Sequence, residues 1–497
     1  MTTMRSFLMA GAFVVAGIAL AAVPACGTDN NNNNNGGTDA GTGADGEPCV
    51  GFGCTNNPDG GGKPGCVNLE CKQVECQGGA KTTVTGVVLD PAGKVPVFNA
   101  TVYVPNKTPD PLATGAVTCD RCDAKVSGSP VAITATDTSG AFTLENVPVG
   151  DKIPLVIQIG KWRRQVELPA VAPCVDTPAD AGLTRLPRNR NEGDIPRIAL
   201  ATGAADPLQC LLKKIGIDES EFGTAGSDAR IHLYAGAGFD DNGTPKLASS
   251  AFAAGGAFAN AETLWNTVDE LKKYDVVMLA CEGNENDTAQ HKSPAAKQAV
   301  YDYAKAGGRL FTTHFHHTFF SGSPDAAPKG VAVWTDKAPP ANGNPATTPI
   351  GADIVGTFPK ALAMKEWLTK QQALTNGKLS MIDARHNADA VNAGGLNWIT
   401  ATSENAVGGT AGQAAVQYLT FNAPIGAADD QVCGRAVFTN LHVGAGTEGN
   451  KTDDPTAAFP TSCQTENLSA QQKALEFMLF DLSSCVQKDD AVVVQPR

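Results

Sequence analysis

The sequence predicts a multidomain chain in which a β-sandwich is followed by an α/β doubly wound parallel sheet, both behind a disordered N-terminal tether. Three observations predict it. Residues 27–46 contain Gly, Thr, Asp, Ala and six consecutive Asn but no apolar run, so they cannot bury a core. From Thr82 onward, short alternating strands recur between turn residues. From Ile195 onward, continuous apolar runs alternate with helical periods, the rhythm of a parallel sheet covered on both faces. A length of 497 residues suits two or three domains. Charged residues make up only 18%, against 53 Gly and 31 Pro, which excludes a coiled coil or an all-helical bundle. A net charge of −13 repels a phosphate backbone and excludes nucleic acid as a partner.

Residues 1–25 have the three parts of an export signal: Arg5, an apolar run from Phe7 to Ala22, and small residues leading to Cys26. Pro24 interrupts the run too early for a membrane-spanning helix. Val23-Pro24-Ala25-Cys26 resembles the bacterial lipobox, which implies cleavage before Cys26 and a lipid on that residue; a plain secretory signal is the alternative. Residues 26–46 then form the tether. Gly27 stands where retention in the cytoplasmic membrane usually calls for Asp, so the expected address is the cell envelope, lipid-anchored at the outer membrane. Fourteen cysteines in an exported chain point to disulfides. Five of them, Cys49, Cys54, Cys66, Cys71 and Cys76, staple the segment 47–80. Lipidation of Cys26 leaves an odd number, so at least one thiol is free or pairs with another molecule. Cys119 and Cys122 have redox or zinc spacing but lack a βαβ context, and read as structural disulfides.

Residues 81–183 carry the sandwich. Thr83–Val88, Ala100–Val104, Ala132–Thr136 and Ala141–Leu144 alternate between turns such as Asp90-Pro91-Ala92-Gly93 and Asp137-Thr138-Ser139-Gly140. The run from Val84 through Gly93, then Asn99-Ala100, then Thr136 through Gly150, resembles the carboxypeptidase regulatory-like module. That resemblance implies a transthyretin-like seven-stranded sandwich without catalytic residues, here with an insertion from Pro105 to Pro130. Trp162, Arg163 and Arg164 read as a solvated edge strand. Residues 184–194 form a linker.

Residues 195–486 form the α/β half, with residues 487–497 as a tail. Arg197–Gly203, Arg230–Ala235, Asp275–Ala280, Arg309–Thr313 and Gly434–Leu441 read as buried strands. Helices are expected at 206–215, capped by Asp206, and at 259–273, 293–306 and 469–484. An insertion, 321–430, breaks the rhythm and is expected to form a pocket lid. Tyr274-Asp275-Val276-Val277, Gly307-Gly308-Arg309-Leu310 leading into a histidine, and Gly434-Arg435 leading to Leu441-His442 resemble the class I glutamine amidotransferase-like superfamily and its ThuA-like branch. The resemblance implies a flavodoxin-like or amidotransferase-like sheet. His314 occupies the elbow where an amidotransferase has its nucleophilic Cys, so glutamine hydrolysis by the usual triad is not implied.

Ligands of open parallel sheets bind beyond the carboxyl ends of the strands. Cys281 and Glu282, His314 to His317, and His442 all map there. Extended chain after Thr313 would aim His314 and His316 to one side, within reach of His442. The candidate catalytic set is therefore His314, His442, Cys281 and Glu282, and the candidate metal set is His314, His316, His317 and His442, suited to a divalent ion such as zinc. His232, His291 and His386 stand alone and read as structural. Two functions follow: a lipid-anchored envelope protein of binding or structural role, with a carbohydrate or other envelope ligand, or a hydrolase, metal-assisted, acting on carbohydrate or amide substrates. In the α/β half, bridges are expected between Cys210 and Cys485 and between Cys433 and Cys463, leaving Cys281 as the odd thiol.

Overall fold

The computed structural model describes residues 65–113, 115–237, 248–337, 349–402, 408–410, 412–444, 453–465 and 467–488. The export signal, Cys26, the tether, Cys49 and Cys54 lie outside the described residues, as does most of the 487–497 tail. The chain is sheet-rich with helices interspersed, a mixed α and β architecture. Among the described residues no helix is long and apolar enough to cross a membrane.

Seven strands build the first half: β1 (Thr83–Val87), β2 (Thr101–Pro105), β3 (Pro130–Ala135), β4 (Ala141–Glu145), β5 (Gly150–Ile159), β6 (Trp162–Val171) and β7 (Asp176–Pro178). They form a three-stranded sheet, β4-β1-β7, and a four-stranded sheet, β3-β2-β5-β6. Alternation buries Val84, Val102, Leu144, Leu155 and Ile157 in one core. Strand β6 is an edge, as expected, but its basic residues are occupied. Arg163 donates to Asp194 at 3.0 Å and to the Asp110 carbonyl at 2.8 Å. Trp162 is fully buried, edge-on to Phe480.

The second half starts with β8 (Ile198–Ala201), α1 (Leu208–Lys214), β9 (Phe222–Thr224), β10 (Ile231–Ala235), β11 (Ala259–Asn260), α2 (Glu262–Trp265), α3 (Val268–Leu271), β12 (Val276–Leu279), α4 (Pro294–Lys305) and β13 (Arg309–Thr313). The expected 259–273 helix is broken into α2 and α3, because Thr267 turns extended and caps α3 by accepting from Glu270 N. Asp206 does not cap α1; its carboxylate is used elsewhere. After α5 (Thr318–Ser321) and α6 (Ala326–Gly330) come β14 (Ala332–Trp334), β15 (Ile350–Ile354), α7 (Pro359–Lys370), β16 (Leu374–Thr375), β17 (Lys378–Met381), β18 (Ala388–Val391), β19 (Leu396–Thr402), β20 (Ala414–Ala423), β21 (Gly434–Thr439) and α8 (Ala470–Ser483).

One sheet of twelve strands runs β11-β10-β8-β12-β13-β21-β20-β19-β15-β17-β16, with β9 also on β10. From β11 to β21 the strands are parallel; from β20 outward they are antiparallel. The 321–430 insertion thus supplies five strands of that sheet, β15, β16, β17, β19 and β20. Strand β20 is buried at nearly every position, so it needs a neighbour on each side and takes β21 and β19. Strands β14 and β18 pair apart from the main sheet.

One core cluster spans both halves, and a second lies on the other face of the large sheet. Phe98 stacks on Phe477, and Trp367 meets Phe477 at 5.4 Å. Gly160, between β5 and β6 with φ 54°, touches the end of α8 so closely that a Cβ would lie 1.7 Å from the Ser483 carbonyl.

Among the described residues the disulfides are Cys66–Cys71, Cys76–Cys174, Cys119–Cys433, Cys122–Cys485 and Cys210–Cys463, with Cys281 left as a buried thiol. Such a set belongs to an oxidising compartment. The expected Cys210–Cys485 and Cys433–Cys463 bridges are corrected by the direction of the helices. Helices crossing between parallel strands run back against them, so Cys210, in the first turn of α1, lies at the carboxyl edge of the sheet. Cys485 follows the end of α8 at the opposite edge, beside Cys433 at the start of β21. The cysteines at that far edge take Cys122 and Cys119 from the 105–130 insertion, and Cys210 takes Cys463 from the loop before α8.

Candidate functional site

Three neighbouring parallel strands, β12, β13 and β21, deliver Cys281, His314 and His442 to the same carboxyl edge. One donor atom from each lies within 4.8 Å of the others. Cys281 Sγ is 3.0 Å from His314 Nδ1, and the two histidine rings meet at 5.2 Å between centroids. All three side chains are buried. His314 holds φ at 44°, a left-handed backbone that costs a residue with a Cβ and turns the chain sharply out of β13.

The fourth member is Asp383, in the turn after β17, which sequence reasoning missed. Its Oδ2 is 2.8 Å from His442 Nδ1, and its Oδ1 is 2.5 Å from Arg385 Nη2. That contact leaves Nε2 as the other nitrogen of His442, buried and without an aligned hydrogen bond among the described residues, with the Cys281 side chain beside the ring. The only sequence cue for Asp383 was its charge in a run, Met381-Ile382-Asp383-Ala384-Arg385, that follows a short strand inside the insertion.

Electrostatics separate the two histidines. Burial disfavours a charged His442, but the neighbouring Cys281 side chain and the Asp383 carboxylate outweigh it and hold its pKa up to about 10. Burial, reinforced by the positive charges of His442 and Arg385, pushes His314 well below the ordinary histidine range.

Asp206 ties the strand ends together beneath this cluster. Its Oδ2 accepts from Thr313 Oγ1 at 3.0 Å and its Oδ1 from Val443 N at 2.8 Å, while Thr313 Oγ1 in turn accepts from Cys281 N at 2.8 Å. One carboxylate therefore fixes the backbone beside all three donors. Burial raises the pKa of Asp206. Gly203 completes the approach: a Cβ there would lie 2.0 Å from the Cys281 carbonyl oxygen.

His316 and His317 do not join the set. Residues 314–317 form a single 3₁₀ turn instead of extended chain, so His314 and His316 no longer share a side. His316 Nε2 lies 2.9 Å from the Ala280 carbonyl. His317 lies 3.2 Å from Ser321 Oγ through Nδ1 and 3.1 Å from Glu285 through Nε2.

Glu282 also turns away, because successive residues of extended chain face opposite sides. It enters a second buried cluster, accepting from Ala237 N at 3.1 Å and meeting His291 Nε2 at 2.8 Å and Lys292 Nζ at 3.0 Å. Burial alone would raise its pKa, but Lys292 and His291 hold it at about 2. The other ring nitrogen of His291 contacts Glu262. His232 contacts Tyr274 and the Ser227 carbonyl, and His386 contacts Gly408 O and Asp389, structural roles as expected.

A thiol and two imidazoles in this arrangement are a three-ligand set for a borderline metal such as zinc, with Asp383 orienting one ligand through its far nitrogen. Comparison with family models found none that matches the chain, and a search of curated proteins found no match.

Proposed function

We propose that this chain is a lipid-anchored cell-envelope hydrolase whose site is built by Cys281, His314 and His442 around a divalent metal, zinc by donor type. The observation that carries the reading is the convergence of one sulfur and two ring nitrogens within 4.8 Å at the carboxyl edge of adjacent parallel strands. Cys281, His314 and His442 would be the ligands. Asp383 is a positioning residue, holding His442 Nδ1 and so presenting Nε2. Zinc in such a three-ligand site keeps a position for water and lowers its pKa toward neutrality. Carbohydrate or amide bonds are the substrate class. The frame is read as a transthyretin-like sandwich, supported by its three- and four-stranded sheets, followed by a ThuA-like, amidotransferase-like sheet. His314 at the elbow after β13 supports the latter, and replaces the amidotransferase thiol there.

The protein purified after exposure to zinc is expected to hold about one equivalent, and His314→Ala to lose it. A metal-free parent, or an unchanged His314→Ala, overturns the metal centre. The second reading is a binding or structural protein without catalysis, favoured by the burial of the three donors at 0, 5 and 1% exposure. Retention of zinc without turnover of any amide or glycoside would select it. The lipid anchor is tested separately: Cys26→Ser should move the protein from the membrane fraction to the soluble one, and continued membrane association rejects the anchor at the outer membrane.

A further inference from the structure

A cleft of about 620 Å³ lies where the 90–95 turn of the first half meets α1, the end of α7 and the segment leading into α8. Four lysines line it, Lys94, Lys213, Lys214 and Lys473, in a chain that is otherwise acidic. Two are neutralised: Lys213 meets Glu219 at 2.5 Å, and Lys214 meets Asp453 at 2.6 Å with both side chains buried. The other two hydrogen-bond only to uncharged oxygens among the described residues, although Lys473 also acts on the buried Glu476 carboxyl. Lys94 Nζ donates to Asn467 Oδ1 at 3.1 Å, and Lys473 Nζ donates to the Gln371 carbonyl at 2.9 Å.

Asp90 is the one carboxylate on the wall, and it is engaged inward. It accepts from the backbone of Lys94 and Val95 at 2.7 and 3.1 Å and faces the fully buried Glu476. Burial raises both carboxyls, Asp90 to about 6 and Glu476 well above the usual range, so at neutral pH, of the two, Asp90 alone stands as a negative charge beside Lys94 and Lys473. Amides and a hydroxyl, from Gln464, Asn467 and Thr465, complete the wall, and no aromatic ring faces the space. Ammonium groups without a carboxylate partner, ringed by hydrogen-bonding side chains, recognise oxyanions as point charges.

We propose that this cleft binds a small ligand bearing two or more phosphate or sulfate charges, held by Lys94 and Lys473. The site is separate from the Cys281 cluster and does not depend on it.

Titration calorimetry of the full mature chain with pyrophosphate and with a sulfated disaccharide separates the two sources. Saturable binding of at least one is expected, weakening as salt rises. Lys94→Ala combined with Lys473→Ala should weaken it by about tenfold or more, whereas Lys81→Ala, on the other side of the sandwich, should leave it unchanged. Lys94→Glu alone serves as the check should the double variant unfold, since Lys94 Nζ makes an exposed contact. Absence of binding to both probes overturns the proposal, as does equal affinity in the lysine variants.

Discussion

Cys281 and Glu282 are adjacent in the chain, both fully buried, and lie in opposite kinds of surroundings. Glu282 is neutralised: a backbone N–H and His291 meet its Oε1, Lys292 pairs with it at 3.0 Å, and Glu262 completes His291. The Cys281 cluster is left open, with three metal-type donors converging and, among the described residues, no aligned hydrogen bond at His442 Nε2, which has the Cys281 side chain beside it. Buried charges are normally paired, so a neutralised cluster explains itself as scaffold, while converging soft and nitrogen donors imply something further to be held. The difference teaches where to look for chemistry in a sheet edge crowded with histidines: at the donors that converge, not at the residues with the most charge.

The comparison breaks first, and hardest, at Glu282. Glu282→Ala would strand Lys292 as a buried charge without a carboxylate and leave His291 with Glu262 alone, a loss of about 3 to 5 kcal/mol by analogy with broken buried pairs. Denaturant unfolding at neutral pH reads it directly. A loss below 1 kcal/mol, by the ~1 kcal/mol typical of single substitutions, would mean that the cluster is not structural and that the contrast with Cys281 is false.

Asp90 sharpens the comparison from a third position, partnered yet uneasy. Burial is the main cause of its raised pKa, with backbone donors working the other way. Its folded pKa, about 6, lies above the ordinary 3.8. The folded state therefore holds a proton that the unfolded state releases first. The stability this contributes is complete below pH 3.8, fades as pH rises to about 6, and is absent above that. Glu476, raised as well, acts in the same direction. Asp90→Asn removes the titrating group, so relative to the parent it should gain about 2 to 3 kcal/mol between pH 4 and pH 7. Parallel stability curves for parent and variant over that interval would show that Asp90 ionises freely in the folded protein.

Much of this was legible before any coordinates. Apolar runs placed β8, β10, β12, β13 and β21, because strands buried on both faces leave no other pattern, and the site's position at their carboxyl ends followed from parallel topology. Cys281, His314 and His442 were within that reading. What failed needed geometry the sequence does not carry. Whether residues 314–317 run extended or coil into a turn decides whether His316 joins His314 in the site, and four residues give no period to tell the two apart. Asp383 follows β17, four strands from β21 in the sheet, and reaches His442 only because Gln471 of α8 accepts from Ile382 N and donates to the His442 carbonyl. The disulfides misled because Cys119 and Cys122 were assigned to the first half alone, while their loop reaches across to the second.

The smallest effect on stability belongs to the residue most central to the proposed chemistry. Cys281 makes few contacts that a hydroxyl cannot replace: Gly283 N approaches its sulfur at 3.4 Å, and its own N–H is held by Thr313 regardless of the side chain. When the sulfur becomes oxygen His442 loses the support of Cys281 for its charged form but keeps Asp383, and it can shed its proton instead of standing unpaired. Cys281→Ser should therefore cost about 1 kcal/mol or less in the metal-free protein, against the several expected at Glu282. The same substitution replaces a soft ligand with a poor one, so zinc affinity should fall by at least about tenfold while the fold persists. Thermal unfolding with and without added zinc measures both at once: the parent should gain a metal-dependent rise in Tm and the serine variant should lose most of it. If instead Cys281→Ser unfolds the protein as severely as Glu282→Ala does, the thiol is part of the scaffold, and an open cluster in this fold is no guide to function.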